Sequence, residues 1–405
     1  MKRTTILLPL LLLLGLNATV RAESVNISPF VLQQLNAAQQ AMAQEQYVRA
    51  AEVLDKLEQQ DLSPPGKAYM HQFRGNLALQ QKREAEALEQ FHAAWQLDAL
   101  TEQDQRRLLH TVAQLQLTLD QWKKGTVSLE RWMQMVNAAG MADREIRADD
   151  YLLLAQGYSQ QEQWRKVVDP VKTAIKMKGR APEDWYRLQL AAHFQLKQWR
   201  GATAVLELLT ERYPQRSQYW EQLASVYQIR ERHADALATL RAAWIGGHLQ
   251  KERQYIWLVQ LMMQQGVPQR AAEVLQQSLQ AGSVRDTLKH QRLLAQAQLD
   301  AKLYEQGRNT LKRIAERKPD YDTWRQLAYL ELQLKRWSDM KRSIDQAVAL
   351  KPDAGDLLLL RGIADINRAE YDLARSSFER ASAYSGTRDQ AKSWLSYLEQ
   401  LQGRS

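Results

Sequence analysis

From Val31 to Leu401 apolar residues recur three, four and seven positions apart almost without interruption, the spacing of one buried face on each of a series of α-helices. Breaks punctuate the series at Ser63-Pro64-Pro65-Gly66, Pro214, Gly266-Val267-Pro268, Pro319, Lys351-Pro352 and Ser385-Gly386. Proline cannot continue a helix and disfavours helical geometry in the residue before it, so the pattern predicts helix, short turn, helix, many times over. From Tyr321 to Ala383 two copies of one unit lie end to end: Ala328 and Gly362, Trp337 and Tyr371, Ile344 and Phe378, Ala347 and Ala381 are each 34 residues apart. The small residue at Ala328 or Gly362 is expected where the first helix crosses the second, because a larger side chain would hold the backbones apart.

The same register continues through the chain. Ala38, Tyr47 and Ala50 mark a first unit; Gly75, Ala87 and Phe91 a second; Ala113, Trp122 and Gly125 a third; Ala155, Trp164 and Val167 a fourth. Trp185, Ala192, Trp199 and Ala202 mark a fifth, whose first helix stands one residue out of step with its second and whose turn is therefore expected to differ. Ala224 and Ala236, Leu258 and Ala271, and Ala295 and Tyr304 mark the sixth to eighth, ahead of the two opening copies. The longest connection, Asn137 to Ala148, reads as a hinge that needs no domain boundary. A 34-residue period with an aromatic near its start, then a small residue, Ala, a bulky residue, Ala and Pro resembles the tetratricopeptide (TPR) repeat. That resemblance implies an all-α fold, a TPR-type α-α superhelix (solenoid) of about ten helical hairpins. One hairpin buries too little to fold alone, and the last exposed face needs a cover. Residues 387–405, with Trp394, Leu395, Leu398 and Leu401 on one side, read as a capping helix and tail, leaving residues 23–386 as the repeat array.

Residues 1–22 read differently. Lys2 and Arg3 precede an apolar run from Ile6 to Leu16, and Val20-Arg21-Ala22 offers a cleavage site; this is the form of a signal peptide, with a mature start expected at Glu23. The run is short of the roughly 17 to 25 residues a spanning helix needs. The chain has no Cys, which excludes disulfides and a lipid-bearing N-terminal cysteine. Export of a compact, Gln-rich chain points to a Gram-negative periplasm. The formal charge of +9 falls to +6 once Lys2, Arg3 and Arg21 leave with the signal, and interspersed charges such as Gln81-Lys82-Arg83-Glu84 read as a solvated surface rather than a nucleic-acid footprint.

Catalytic signatures do not stand out. The seven His show no pair at metal-ligand spacing, no nucleophile elbow or phosphate-binding loop is present, and Asp149-Asp150 and Glu183-Asp184 sit at helix starts, where carboxylates favour the helix dipole. The Trp residues fall where the repeat packs aromatics. The chain is therefore expected to be non-enzymatic, with no cofactor, no metal and no small-molecule substrate.

Surface remains. In TPR arrays the first helices line the concave side, and carrying over their inward positions gives a candidate partner-binding groove of Gln72, Asn76, His110, Gln114, Gln156, Tyr186, Gln228, Arg253, Gln260, Arg292, Gln296, Arg325 and Tyr329, with His193, Glu221 and Ser225 beside them. Amides both donate and accept, which suits the backbone of an extended peptide. Arg253, Arg292 and Arg325 are expected to form a cationic stripe for an acidic segment unless Asp322 and Glu252 neutralise them. The Lys and Asn set with which chaperone-binding TPR domains clamp a terminal carboxylate is not matched. Ser128-Leu-Glu-Arg-Trp132, Glu183-Asp-Trp-Tyr186, Gln195-Leu-Lys-Gln-Trp199, Gln265-Gly-Val-Pro268 and Ala271-Ala-Glu-Val-Leu275, with Ser28-Pro29 after the signal, are similar to the exported TPR proteins of TonB energy-transduction systems. That resemblance implies a periplasmic adaptor or scaffold, accessory to TonB, ExbB and ExbD in outer-membrane uptake of iron chelates (siderophores) and similar nutrients, and associated with the membrane only through such partners. A scaffold for envelope assembly or polysaccharide export is the alternative.

Overall fold

A computed structural model describes residues 27–402, all of whose regular elements are helices. The segment expected to direct export lies outside the described residues. Two compact units meet in sequence at Val205 and Leu206, not at the connection from Asn137 to Ala148 that reads as the hinge.

In the first unit α1 (Pro29–Ala43) pairs with α2 (Tyr47–Glu58), α3 (Pro64–Gln80) with α4 (Glu84–Gln96), and α5 (Glu102–Thr118) with α6 (Trp122–Ala138). The long connection holds one short helix, α7 (Ala142–Glu145), and is followed by α8 (Ala148–Gln160) packed on α9 (Trp164–Lys178) and by α10 (Glu183–Gln195). The division between units falls within α11 (Trp199–Arg212). In the second unit the pairs are α12 (Ser217–Ile229) and α13 (His233–Ile245), α14 (Glu252–Gln264) and α15 (Pro268–Gln280), α16 (Leu288–Asp300) and α17 (Tyr304–Arg317), α18 (Tyr321–Gln333) and α19 (Trp337–Leu350), and α20 (Gly355–Asn367) and α21 (Tyr371–Ser382). A last helix, α22 (Arg388–Gln402), buries Ala391 and Leu398 against α20 and α21 and stacks Trp394 on Phe378. The run of hairpins with a covering helix is the fold that the 34-residue period implies.

One backbone device makes every hairpin. Two residues before each second helix the chain is left-handed, at Glu45, Lys82, Asp120, Glu162, Lys197, Glu231, Gly266, Lys302, Lys335 and Ala369. The next residue's N–H returns to a carbonyl five residues back, as from Arg83 to Ala78 or Arg336 to Glu331, both at 2.8 Å, which closes a helix C-terminus in the Schellman manner. The fifth turn does not differ, contrary to the sequence expectation: Lys197 has φ 53° and Gln198 N–H reaches His193 at 2.8 Å. The shift lies in the side chains instead. By this backbone register Leu190 stands where other first helices carry Ala328 or Gly362, and room beside His193 comes from Gly201, where a Cβ would meet the imidazole at 2.5 Å.

The crossing point behaves as its small residue predicts. A Cβ on Gly362 would stand 2.4 Å from the Phe378 ring, and one on Gly75 2.6 Å from Phe91, sixteen residues on in both cases. Within four hairpins a polar side chain of the first helix also accepts from a hydroxyl twelve residues later: Ser128 donates to Gln116 at 2.7 Å, Thr310 to Gln298 at 2.8 Å, Ser343 to Glu331 at 2.7 Å and Ser377 to Asp365 at 3.3 Å.

Candidate functional site

Consecutive first helices lie side by side within each unit, and side chains bridge them along one face. In the first unit Tyr69 on α3 donates to Asp104 on α5 at 3.0 Å. His110 on α5 places its Nε2 2.6 Å from an oxygen of Asp150 on α8, and its ring stacks on Trp132 with centroids 3.9 Å apart. The other Asp150 oxygen accepts from the Arg147 N–H at 2.8 Å. Asp150 thus holds the helix start, as its position in the sequence suggests, and anchors the imidazole as well. The histidine's partner was not legible, because it comes from the next repeat, 40 residues away.

Gln72, Asn76, Gln114 and Gln156 are half-buried on this face. Gln114 meets the His110 ring at 3.3 Å. Among the described residues the Gln72, Asn76 and Gln156 side chains have no hydrogen-bond partner, and the Gln72 Oε1 is fully shielded from solvent by its neighbours. The half-buried Asn76 and Gln156 amides keep donors and acceptors open to the backbone of a ligand. Tyr186 and His193 do not line the face as expected, being only 3% and 8% exposed. The altered side-chain pattern of α10 turns both into the packing, where the His193 Nδ1 lies 2.8 Å from the Gln198 Oε1.

The second unit presents a different surface. Arg253, Arg292 and Arg325 are exposed, and each meets a carboxylate of a neighbouring first helix or its cap: Glu221 at 2.6 Å, Asp320 at 3.2 Å and Asp356 at 3.0 Å. These acids are not the anticipated Asp322 and Glu252. Stacked repeats juxtapose residues some thirty positions apart rather than near neighbours, and Glu252 goes to Arg285 at 2.7 Å. Hydrogen bonding by Arg285 holds Glu252 below the ordinary carboxylate range against the effect of burial. For Asp320 burial pushes upward, yet the Thr323 N–H and hydroxyl and the Arg292 charge leave the carboxyl lowered. Tyr329 donates to Asp356 at 3.1 Å with the Arg325 guanidinium over its ring, and burial followed by the Asp356 charge raises its phenol. The stripe is therefore internally neutralised. Gln296 is taken by Asp300 on its own helix at 2.7 Å, Gln260 is exposed, and the Gln228 Nε2 is shielded and unpartnered.

Below this face, charges are buried between repeats. Glu331 on α18, 1% exposed, accepts from Arg308 on α17 at 3.0 Å, and Arg308 also meets Asp339 on α19 at 2.7 Å. One repeat later Asp365 on α20 is fully buried, with the Lys341 ammonium 2.9 Å away, and Lys341 also reaches Glu370 at 2.7 Å. These groups are structural, since each charge is met from within the fold. Among the described residues no group of three His, Cys, Asp or Glu is placed to hold a metal ion, and no helix is long and apolar enough to cross a membrane.

No family model matches the chain, and no curated protein is significantly similar to it. Solved structures are similar in fold. A tetratricopeptide repeat protein from Parabacteroides merdae is 14% identical, covering 62% of this chain and 98% of its own, with a TM-score of 0.31. The P58(IPK) TPR domain is 12% identical over 93% of this chain and 99% of its own, at a TM-score of 0.26. The Cut9 and Hcn1 hetero-tetramer of the APC/C is 15% identical over 90% of this chain and 83% of the matched one, at 0.27.

Proposed function

We propose that this chain is a non-catalytic adaptor that holds an extended protein segment along the first-helix face of its N-terminal unit. The observation that carries this reading is the set of unpartnered amides at Gln72, Asn76 and Gln156; in the second unit Gln228 is unpartnered too, but the arginines of that face are satisfied by Glu221, Asp320 and Asp356. Carboxamides donate and accept together, so they match the alternating N–H and C=O groups of an extended backbone whatever its side chains. The paired arginines then fix the spacing of first helices rather than attract a ligand; exposed pairs of this kind contribute about 0 to 1 kcal/mol each.

The finer reading rests on the sequence resemblance: export to the periplasm, and service as an accessory of a TonB-dependent uptake system, with periplasmic segments of TonB, ExbB or ExbD as partners. The triple variant Gln72→Ala, Asn76→Ala, Gln156→Ala, compared with the parent by calorimetric titration against those segments, tests both levels. A net hydrogen bond is worth about 0.5 to 1.5 kcal/mol, so affinity is expected to fall at least about tenfold with an unchanged melting temperature. Undiminished affinity removes the amides from the site. Absence of binding by the parent removes these partners, and release from the periplasm of a chain starting at or near Glu23 tests the location.

A further inference from the structure

The second helices of the third and fourth hairpins carry an excess of cations that the fold neutralises only in small part. On α6 the cations are Lys123, Lys124 and Arg131; on α9 they are Arg165, Lys166, Lys172, Lys176 and Lys178, while Glu130 and Asp169 are the acids on these two helices. Helical spacing puts Lys124 and Arg131 on one solvent stripe, and Arg165, Lys172 and Lys176 on another, which the exposed Asp169 shares. All five cations are exposed, and none is within ion-pair distance of a carboxylate among the described residues. Arg131 is turned over the Trp95 ring, 4.7 Å from its centroid, and Lys166 over Tyr158 at 5.0 Å. Lys178 alone meets an acid, Asp149, at the long distance of 3.9 Å. Of the two acids, Glu130 accepts a hydrogen bond from the Tyr158 hydroxyl.

Both helices pack on α8 and share one core through Leu129, Trp132, Val136, Val167 and Val171, which fixes their outer stripes within one unit. Among the cations stand two exposed apolar side chains, Val127 on α6 at 59% and Met177 on α9 at 49%. The preceding second helix, α4, carries Glu84, Glu86 and Glu89, so the basic surface ends there.

We propose that the outer face of α6 and α9 is a docking surface for an anionic lipid bilayer. Dispersed cations on long side chains suit a layer of mobile phosphate headgroups, and each near such a surface strengthens association about fivefold. Val127 and Met177 enter the interfacial layer between the headgroups, as apolar residues do on membrane-bound amphipathic surfaces. Nucleic acid fits the charge but gives no role to the two apolar side chains, and an acidic protein is distinguished by the outcome of the test below. The bilayer contact is peripheral and leaves the first-helix face of the same hairpins free.

The test is co-sedimentation of the full protein with vesicles of mixed phosphatidylglycerol and phosphatidylcholine, against vesicles of phosphatidylcholine alone. Binding is expected only to the anionic vesicles, weakening as salt screens the exposed charges. Neutralising four cations together (Lys124→Gln, Arg165→Gln, Lys172→Gln, Lys176→Gln) is expected to reduce vesicle affinity roughly a hundredfold or more, with the melting temperature unchanged because all four are exposed. Val127→Ser with Met177→Ser is expected to remove the binding that persists at higher salt. Equal binding to neutral vesicles, no binding by the parent, or full binding by the fourfold variant overturns the proposal. So does a fourfold variant that loses self-association, nucleic-acid binding or acidic-protein binding while vesicle affinity stays intact.

Discussion

Glu331→Ala is expected to destabilise the C-terminal unit by about 3 to 5 kcal/mol, the usual cost of removing one partner of a buried ion pair. The substitution leaves the Arg308 guanidinium, itself 7% exposed, with Asp339 alone, removes the acceptor of the Ser343 hydroxyl and opens a void between α17, α18 and α19. Glu331→Gln keeps the volume and an acceptor for Ser343, so it should cost clearly less. Burial raises the Glu331 carboxyl above its ordinary value, against the lowering effects of Ser343 and Arg308. A raised folded value means that protonation favours the folded form. This contribution is fully present below the ordinary glutamate range and is lost as pH rises through the higher folded value. Urea unfolding followed by circular dichroism, with hydrogen exchange to localise the loss in α18 and α19, measures the cost. A change under about 1 kcal/mol for the alanine variant would show that the pair is dispensable.

Gly362→Leu should destabilise by roughly 1 to 3 kcal/mol through overpacking. Even a methyl group at this position lies 2.4 Å from the Phe378 ring, which is fully buried and stacked on Trp394 at 5.7 Å with an interplanar angle of 6°. The ring therefore has little freedom to yield, and separating α20 from α21 would also loosen the seat of α22. Gly362→Ala combined with Phe378→Leu should recover part of the loss of Gly362→Ala alone, because removing the ring restores the room. Since repeat arrays transmit stability mainly between neighbours, the loss should register as exposed amides in α20 to α22. Neutral behaviour of Gly362→Leu would mean that the crossing lies elsewhere.

Why these two sites read so differently from the sequence is physical. Gly362 and Phe378 announce their contact, because a repeat that must bring two helices close demands a small residue opposite a large one at a fixed interval, and Gly75 with Phe91 repeats it. Glu331 and Asp365 left a weaker trace: 34 residues apart, each is followed twelve residues later by a serine, Ser343 or Ser377. That recurrence of polar residues inside an apolar stripe is the trace that a buried acid leaves in the sequence. The partners of Arg253, Arg292 and Arg325 were not available, since they depend on the offset between stacked hairpins, and Asp320 serves as the cap of α18 as well. The basic surface of α6 and α9 was hidden in a chain whose charges look evenly mixed when counted along the sequence, because only helical phase separates Lys124 and Arg131 from Glu130. Tyr186 and His193 were misplaced for a related reason, the side-chain pattern of α10 being shifted while its turn kept the common form.

The proposed groove places a partner segment on the amides of the first helices in the N-terminal unit. Photo-crosslinking with a reactive residue introduced singly at positions 76, 156, 124 and 172, in the presence of the periplasmic segments of TonB, ExbB and ExbD, tests it most directly. Crosslinks are expected from positions 76 and 156 to one extended stretch of the partner, and none from 124 and 172. Crosslinks confined to 124 and 172 would contradict it, placing the partner on the second helices instead.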